Sequence, residues 1–360
     1  MGRLSLVSFQ TAHLPSVHAL YAKTFGAEAL ARFQSRYAWS QAAGVASHQR
    51  AAWVLQDESG AVLGYLGAMP IPLAVRGQRL VAWTTADFMV DPKASFHGLS
   101  LMREAVKQCP RQLSVDDMPA TVALLKLMKA VPVMQWARWG KPLDLRSLKG
   151  RSAWVDAVPD SALRAASHGF RVFDRLRRPS GLPRLVKVPF DERFDRFALA
   201  FSQVGGAGVY RDAAYYRWRY GASSPQRGAE AWALLDSNQE ISAYTVVTGG
   251  PYTCNGFFLE LNVAPTVSDP TVAYQSLIVG GVRALRALGS HTAYLYVPEP
   301  APISLEITLK SLSFFKRSHR FTVFSKPDPT DSAEVSSQLL DASKLNVQYG
   351  DAEHSYGSAV

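Results

Sequence analysis

Ala52-Trp53-Val54-Leu55, then Asp57, then Val62-Leu63-Gly64-Tyr65 beyond a polar turn, return later in the chain as Ala231-Trp232-Ala233-Leu234, Asp236 and Ile241-Ser242-Ala243-Tyr244. The two stretches align without a gap, with the same Trp-to-Asp and Trp-to-Tyr spacings. Each reads as strand, tight turn, strand, because apolar and aromatic runs are broken by Asp-Glu-Ser-Gly or Asp-Ser-Asn-Gln. The likeness runs outward on both sides. Upstream, Arg36-Tyr37-Ala38-Trp39 answers Tyr216-Arg217-Trp218-Arg219-Tyr220; downstream, Asp87-Phe88-Met89-Val90-Asp91-Pro92 answers Glu260-Leu261-Asn262-Val263-Ala264-Pro265. In each copy a carboxylate begins a short strand that a proline ends. Three matches in one order, at a period too long for a solenoid, describe a duplicated domain.

A helix follows each proline. Leu99, Met102, Val106 and Cys109 form its apolar stripe in the first copy, with Arg103 and Lys107 outward; Tyr274, Leu277, Ile278, Gly281, Val282, Leu285 and Leu288 form it in the second, with Arg283 and Arg286 outward. Strands at 112–115 and 292–297, helices at 120–129 and 303–312, and last strands at 133–138 and 321–324 complete the copies. The expected fold class is α/β, a tandem duplication of a mixed sheet flanked by helices. The expected divisions are 1–145 and 190–330 for the two domains, 146–189 for a basic helical linker, and 331–360 for a polar, loosely held tail. In the linker, Leu163, Ala166, Phe170 and Phe173 repeat at helical spacing, with Arg164, Arg171, Arg175 and Arg178 off that stripe. Pro179, Gly181 and Pro183 end the helix. Gly205-Gly206-Ala207-Gly208 reads as a flexible turn.

With 360 residues, 48% of them hydrophobic, the chain is long enough for two cores. No window approaches the roughly 18 apolar residues of a membrane span. MGRLSLVSFQ lacks a signal-peptide core, and Leu6 stands where myristoylation needs Ser or Thr. Two distant cysteines, Cys109 and Cys254, suit a reducing compartment, so a soluble cytoplasmic protein is the expectation. The net charge is +10, and residues 141–190 hold 11 Lys and Arg against 4 Asp. That excess has no aromatic interleaving, zinc spacing or DNA-reading motif, which disfavours a nucleic-acid partner. A solvated linker face is the plain reading of it, and membrane-surface contact through 164–178 the sharper one.

The segment Asp87-Phe88-Met89-Val90-Asp91-Pro92-Lys93-Ala94-Ser95-Phe96-His97-Gly98-Leu99-Ser100 resembles the cofactor-binding strand-loop-helix of the GNAT acetyltransferases, where a strand ending near Val-x-Pro meets a loop Gln/Arg-x-x-Gly-x-Gly/Ala. Gly98 fills the first glycine position and Ser100 the second; Ser95 stands where Gln or Arg is usual. A helix start of this kind presents unpaired N–H groups to a pyrophosphate, whatever the family. The matching loop of the second copy, 266–274, carries Pro270 and no glycine. Val209-Tyr210-Arg211-Asp212-Ala213-Ala214-Tyr215-Tyr216-Arg217-Trp218-Arg219-Tyr220 resembles the element that opens the second half of tandem GNAT-like proteins found with bacterial polysaccharide genes, matching at Arg211, Asp212, Tyr215, Trp218, Arg219 and Tyr220. Tyr349-Gly350-Asp351 is a fainter likeness to the same group. Read without the family, the element is an amphipathic helix with packed aromatics and locally paired arginines.

The resemblance implies an acyl-CoA-dependent N-acyltransferase with acetyl-CoA as co-substrate and a small-molecule amine, an amino sugar, as acceptor. Met89, Val90, Ser95, Phe96, His97, Gly98, Leu99 and Ser100 would hold the cofactor. Amine acylation needs a proton acceptor near the thioester, and Asp87 and Glu260 stand at that place in the family's strand. Each also reads as a structural partner of an arginine. The family's tyrosine acid has no match, since Leu124-Leu125 occupies its region. The rival reading keeps both folds with the cofactor loop eroded, as a binding or scaffold protein. Gly-x-Ser-x-Gly, Gly-Lys-Ser/Thr and His-Glu-x-x-His do not occur, and the scattered histidines offer no metal set.

Overall fold

The computed structural model describes residues 4–42, 50–150, 153–204, 206–226, 228–250 and 254–352. The first half runs β1 (Ser5–Ser8), α1 (Leu14–Phe25), α2 (Ala27–Ala42), β2 (Ala51–Gln56), β3 (Val62–Val75), β4 (Gln78–Val90), α3 (Gly98–Gln108), β5 (Gln112–Asp116), α4 (Pro119–Leu127) and β6 (Val131–Pro142). After α5 (Ala153–Asp156) and α6 (Asp160–Leu176) come β7 (Val186–Val188), α7 (Glu192–Val204), β8 (Ala207–Val209), α8 (Ala213–Tyr220), β9 (Glu230–Leu235), β10 (Ile241–Gly249) and β11 (Asn255–Val263). α9 (Pro270–Ala287), β12 (Thr292–Glu299), α10 (Ile303–Ser311) and β13 (Phe315–Lys326) complete the second half, and α11 (Ala333–Leu339) and β14 (Leu345–Asn346) follow.

The duplication holds at the level of register. Trp53 in β2 faces Leu66 in β3, thirteen residues on; Trp232 in β9 faces Thr245 in β10, also thirteen on. The two sheets are one. Its order is β1-β2-β3-β4-β5-β13-β6-β12-β11-β10-β9-β7, with β8 joining β3 to β14 off that path. The last strands, expected to close their own copies, are exchanged: β13 lies between β5 and β6, and β6 lies between β13 and β12, all antiparallel. Each half is thus completed by the other, and an approximate two-fold relates them about the β6–β13 pair. Trp39 and Trp218, equivalent in the two copies, stack on each other with centroids 4.6 Å apart, and Trp39 Nε1 donates to the Trp218 carbonyl at 2.8 Å.

Local chemistry explains the long hairpin between β3 and β4. Arg76 (φ 47°) and Gly77 (φ 81°) supply the two left-handed residues of a tight hairpin turn. Helices cover both faces of the sheet, so β3 is buried almost throughout and reads as a continuous apolar run, not an alternating one.

Three sequence expectations change. The tail is not loosely held up to residue 352. Val335, Leu339, Leu345, Val347 and Tyr349 are buried in the central cluster with residues of both halves, while 353–360 lie outside the described residues. The glycine run is not a flexible turn, with Gly205 outside the described residues, because β8 pairs with both β14 and β3. A Cβ on Gly206 would sit 2.4 Å from Lys344 Cβ and 2.6 Å from its carbonyl oxygen, so the glycine is there to admit the tail's backbone. In α6 the buried line is Leu163, Ser167 and Asp174, with Phe170 half-buried, while Ala166 and Phe173 are exposed. Polar anchors turned the helix. Ser167 Oγ accepts from Leu145 N–H at 2.8 Å, and Asp174 accepts from Lys141 Nζ and from Arg286 at 3.0 Å.

Candidate functional site

Asp87 and Glu260 take equivalent places on β4 and β11, each beside a bulge. Tyr65 faces Met89 and Gly67 faces Ala86, so β4 carries one extra residue there, and Asp87 adopts φ 56°. In the second half Val246 faces Glu260 and Val247 faces Phe258, again with one extra residue. Both side chains are fully buried and both are neutralised. Asp87 accepts from Arg36 and, at 2.7 Å, from Arg50, whose guanidinium also donates to Tyr65 Oη at 2.9 Å. Glu260 accepts from Tyr216 Oη at 2.5 Å and Tyr220 Oη at 3.0 Å, and lies 3.4 Å from Arg211. Tyr244, the equivalent of Tyr65, is 2.6 Å from Tyr216 through their hydroxyls. The same scheme therefore serves twice: a carboxylate under the bulge, a tyrosine from the neighbouring strand, and arginine as counter-charge.

The second network is the more enclosed. Burial pushes the Glu260 carboxyl up to about 7, against the opposing pull of Arg211 and with Asp351 adding to the rise. Burial also raises the Tyr215, Tyr216 and Tyr220 hydroxyls. Asp351 accepts from Arg211 and, at 2.8 Å, from Tyr215 Oη, so the fainter Tyr-Gly-Asp likeness lands inside the same network as the Arg211 element. Sequence reasoning quoted Arg36, Arg211, Tyr216 and Asp351 without assigning them here, and missed Arg50. The signal that was available is the repeated tyrosine: the spacing that aligned Trp53 with Trp232 also aligns Tyr65 with Tyr244.

A cleft opens where parallel strands of the second half part. β4 and β5 share one backbone pairing, Trp83 with Gln112, and beyond it Thr85 Oγ1 lies 3.5 Å from Ser114 Oγ. β11 and β12 pair from Asn255–Thr292 to Phe258–Leu295 and then diverge around a cleft of ≈ 880 Å³. Leu261, Val263, Leu295 and Val297 line its strands, Tyr274 and Leu305 its helices, and residues 341–348 of the tail close one side.

The cofactor-binding candidates run from the end of β4 to the start of α3. Met89 and Val90 end β4; Ser95, Phe96 and His97 lie in the 3₁₀ turn Pro92–His97; Gly98, Leu99 and Ser100 open α3. Ser95, Phe96 and Ser100 are exposed, whereas Met89 is buried. Gly98 has ordinary helical dihedrals, and its value here is packing: a Cβ would meet Phe88 Cζ at 3.2 Å. The helix starts of the two halves differ. Both segments open with an Asp before a Pro: Asp91 Oδ1 accepts from Lys93 N–H at 3.0 Å, and Asp269 Oδ1 accepts from Thr271 N–H at 3.0 Å and Val272 N–H at 3.1 Å. In the first half, however, a 3₁₀ turn intervenes before α3, and Gly98 N–H donates to the Ser95 carbonyl.

No family model matches the chain, and no curated protein matches it. Solved structures do. Saccharomyces cerevisiae N-myristoyltransferase with bound myristoyl-CoA is similar at a TM-score of 0.59 and 12% identity, over 96% of this chain and 86% of that one. A GCN5-related N-acetyltransferase from Anabaena variabilis gives a TM-score of 0.55 and 13% identity, over 89% of this chain and 72% of that one. The GCN5-related glucosamine N-acetyltransferase region of a fungal multi-domain β-N-acetylglucosaminidase gives 0.54 and 12%, over 90% of this chain and 38% of that one. The fold is that of the GNAT-like acyltransferases. At these identities the likeness is one of fold.

Proposed function

We propose that the chain is an acyl-CoA-dependent N-acyltransferase whose first half holds acetyl-CoA or a longer acyl-CoA and whose second half shapes the acceptor site. The observation that carries this reading is the fold shared over nearly the whole chain with solved N-acyltransferases, together with α3, which Gly98 opens beyond the end of β4. Backbone N–H groups of Leu99 and Ser100 would hold the pyrophosphate, and the pantetheine would lie along β4. Backbone N–H groups at the β4 bulge would polarise the thioester carbonyl, and fixed apposition of amine and thioester would supply much of the rate.

For Asp87 the geometry favours a positioning role. Both its oxygens are engaged by guanidinium groups, so its carboxylate fixes the bulge and leaves the amine's proton to water. Glu260 fixes the second bulge in the same way. The proposed acceptor is an amino sugar, nucleotide- or lipid-linked. The cleft between β11 and β12 supports it with amide groups suited to sugar hydroxyls (Asn262, Asn346, Gln348) and the Tyr274 ring.

The test is binding of acetyl-CoA, coenzyme A and longer acyl-CoAs to the full chain by thermal shift, followed by a thiol-release screen of amino sugars. Ser100→Asp is the diagnostic variant. An exposed acid in the first turn favours the helix dipole, so the unliganded protein should melt no lower, yet its charge opposes the pyrophosphate. Acyl-CoA should shift the wild type and not the variant. No shift of the wild type by any acyl-CoA makes the chain a binding or scaffold protein on the same fold. An equal shift of both places the cofactor elsewhere.

A further inference from the structure

Helix α6 turns an apolar face outward. With Leu163, Ser167 and Asp174 directed into the protein, Ala162, Ala165, Ala166, Val172, Phe173 and Leu176 fall at about 100° per residue into one sector roughly 120° wide on the far side. All six are exposed, and the large ones markedly so: Val172 by 47%, Phe173 by 53% and Leu176 by 78%. A linker helix held in place only by its own packing would show the reverse arrangement, with polar residues outside. The inward side is held by charge: Asp174 is bound to Lys141, Arg178 and Arg286, and Ser167 donates to Asp144 at 3.2 Å. The helix is therefore fixed with its apolar side exposed.

Arginines border that sector. Arg164 and Arg175 lie on one side of it, Arg171 turns inward to within 3.6 Å of Asp144, and Arg177 at the helix end stands over the Phe173 ring at 5.2 Å. The acids of the helix are out of the way, since Asp174 faces inward and Asp160 pairs with Lys149. We infer that α6 is an interfacial helix that lies in the surface of an anionic phospholipid bilayer, with Val172, Phe173 and Leu176 among the acyl chains and the arginines at the phosphates. Charge complementarity selects this occupant. A second copy of the chain would bring two arginine fringes together, and a nucleic acid would leave the phenylalanine and leucine in water. The inference stands apart from the acyl-transfer reading and needs no substrate to test.

The experiment is flotation of the full chain with phosphatidylcholine vesicles and with vesicles of 7:3 phosphatidylcholine and phosphatidylglycerol. Binding is expected to the anionic vesicles alone and to weaken with salt. Phe173→Ser with Leu176→Ser should reduce it by about tenfold or more, and Arg164→Gln with Arg175→Gln by roughly fivefold per arginine. These side chains are exposed, so melting temperature and near-ultraviolet dichroism should not change, which separates lost binding from lost folding. The inference is overturned by no binding to anionic vesicles, by equal binding to neutral ones, or by binding indifferent to Phe173→Ser with Leu176→Ser. It is equally overturned if light scattering shows a wild-type dimer that this double variant converts to a monomer, which gives the face to a second copy.

Discussion

Replacing Asp351 by Asn removes one negative charge from a buried network. Asp351 engages Arg211 through both carboxylate oxygens, accepts from Tyr215 Oη at 2.8 Å, and accepts from Gln348 N–H at 2.7 Å. Burial works against the Arg211 charge, and Asp351 and Glu260 more than offset it, so the Arg211 pKa is raised. Removing one partner of a buried pair costs about 3–5 kcal/mol, because the other charge stays behind. Glu260 remains 3.4 Å from Arg211 and keeps part of the compensation, which points to the lower end, ~3 kcal/mol. An unfolding entropy of about 2 cal/mol/K per residue over 360 residues is ~0.7 kcal/mol/K, so the melting temperature should fall by ~4 °C.

The pH dependence of that loss has a definite sign. Glu260 titrates at about 7 in the folded protein and near the ordinary glutamate value when unfolded. Its contribution is thus fully present below the unfolded value and is lost as pH rises through about 7. Asp351 is one of the causes of the rise, so the variant's Glu260 should titrate lower and give up less stability over that window. The penalty of Asp351→Asn should therefore be larger at pH 5 than at pH 8, as read by calorimetry across that range. A loss under about 1 kcal/mol at every pH would mean that the tail is no part of the core. A penalty growing toward pH 8 would refute the account of Glu260.

Further outcomes follow from other contacts. Asp87→Asn leaves Arg36 and Arg50 buried beside a neutral group and should cost about 3–5 kcal/mol; once an acceptor is in hand, a positioning role leaves the shape of the pH–rate profile unchanged, whereas a base would lose its acidic limb. Trp39→Ala opens a cavity where the two halves stack and should cost about 3–5 kcal/mol in denaturant unfolding. Acid should release α6 early. The Arg146 hydrogen bond holds Asp144 well below the usual carboxylate range, and for Asp174 burial pushes upward but Lys141 and Arg286 prevail. Stability from both is present above the ordinary aspartate value and is lost as pH falls through the depressed ones, so limited proteolysis by pepsin at about pH 1.5 should cut at α6 before the sheet melts.

The sequence made the repeat legible because strands carry a period of two and a fixed turn length, so Trp53, Tyr65 and their counterparts kept their spacing through divergence. Helices α3 and α9 were legible by their stripes, although the deepest residues of α3 include Leu101 and Ala105, a small rotation from the one read. Pairing between strands leaves no such trace. The β6 and β13 sequences are equally apolar whichever edge they join, and only the assembled sheet shows the exchange. The tail misled because its composition is polar, while its few apolar residues, Leu339, Leu345 and Tyr349, are the ones that reach the core. The α6 face misled in the opposite sense: Leu163, Ala166, Phe170 and Phe173 read as one stripe, and the pairing of Asp174 with Lys141 turned the helix so that Ala166 and Phe173 face outward.

Duplication gave both halves one scaffold, a bulged strand locked from below by a buried carboxylate, and the halves then differ where chemistry would require it. The first half neutralises Asp87 with two arginines from its own residues, which leaves its network independent of the tail. The second neutralises Glu260 with Arg211 and closes the arrangement with Asp351 from the tail, whose residues 341–348 also wall the cleft between β11 and β12. The helix starts differ as well: α9 follows its capping Asp269 directly, whereas a 3₁₀ turn capped by Asp91 leads into α3. Because β6 and β13 are exchanged, the two halves cannot drift apart: each rests on a strand that belongs by sequence to the other. That coupling is what a two-substrate transfer between unlike sites would need from its fold.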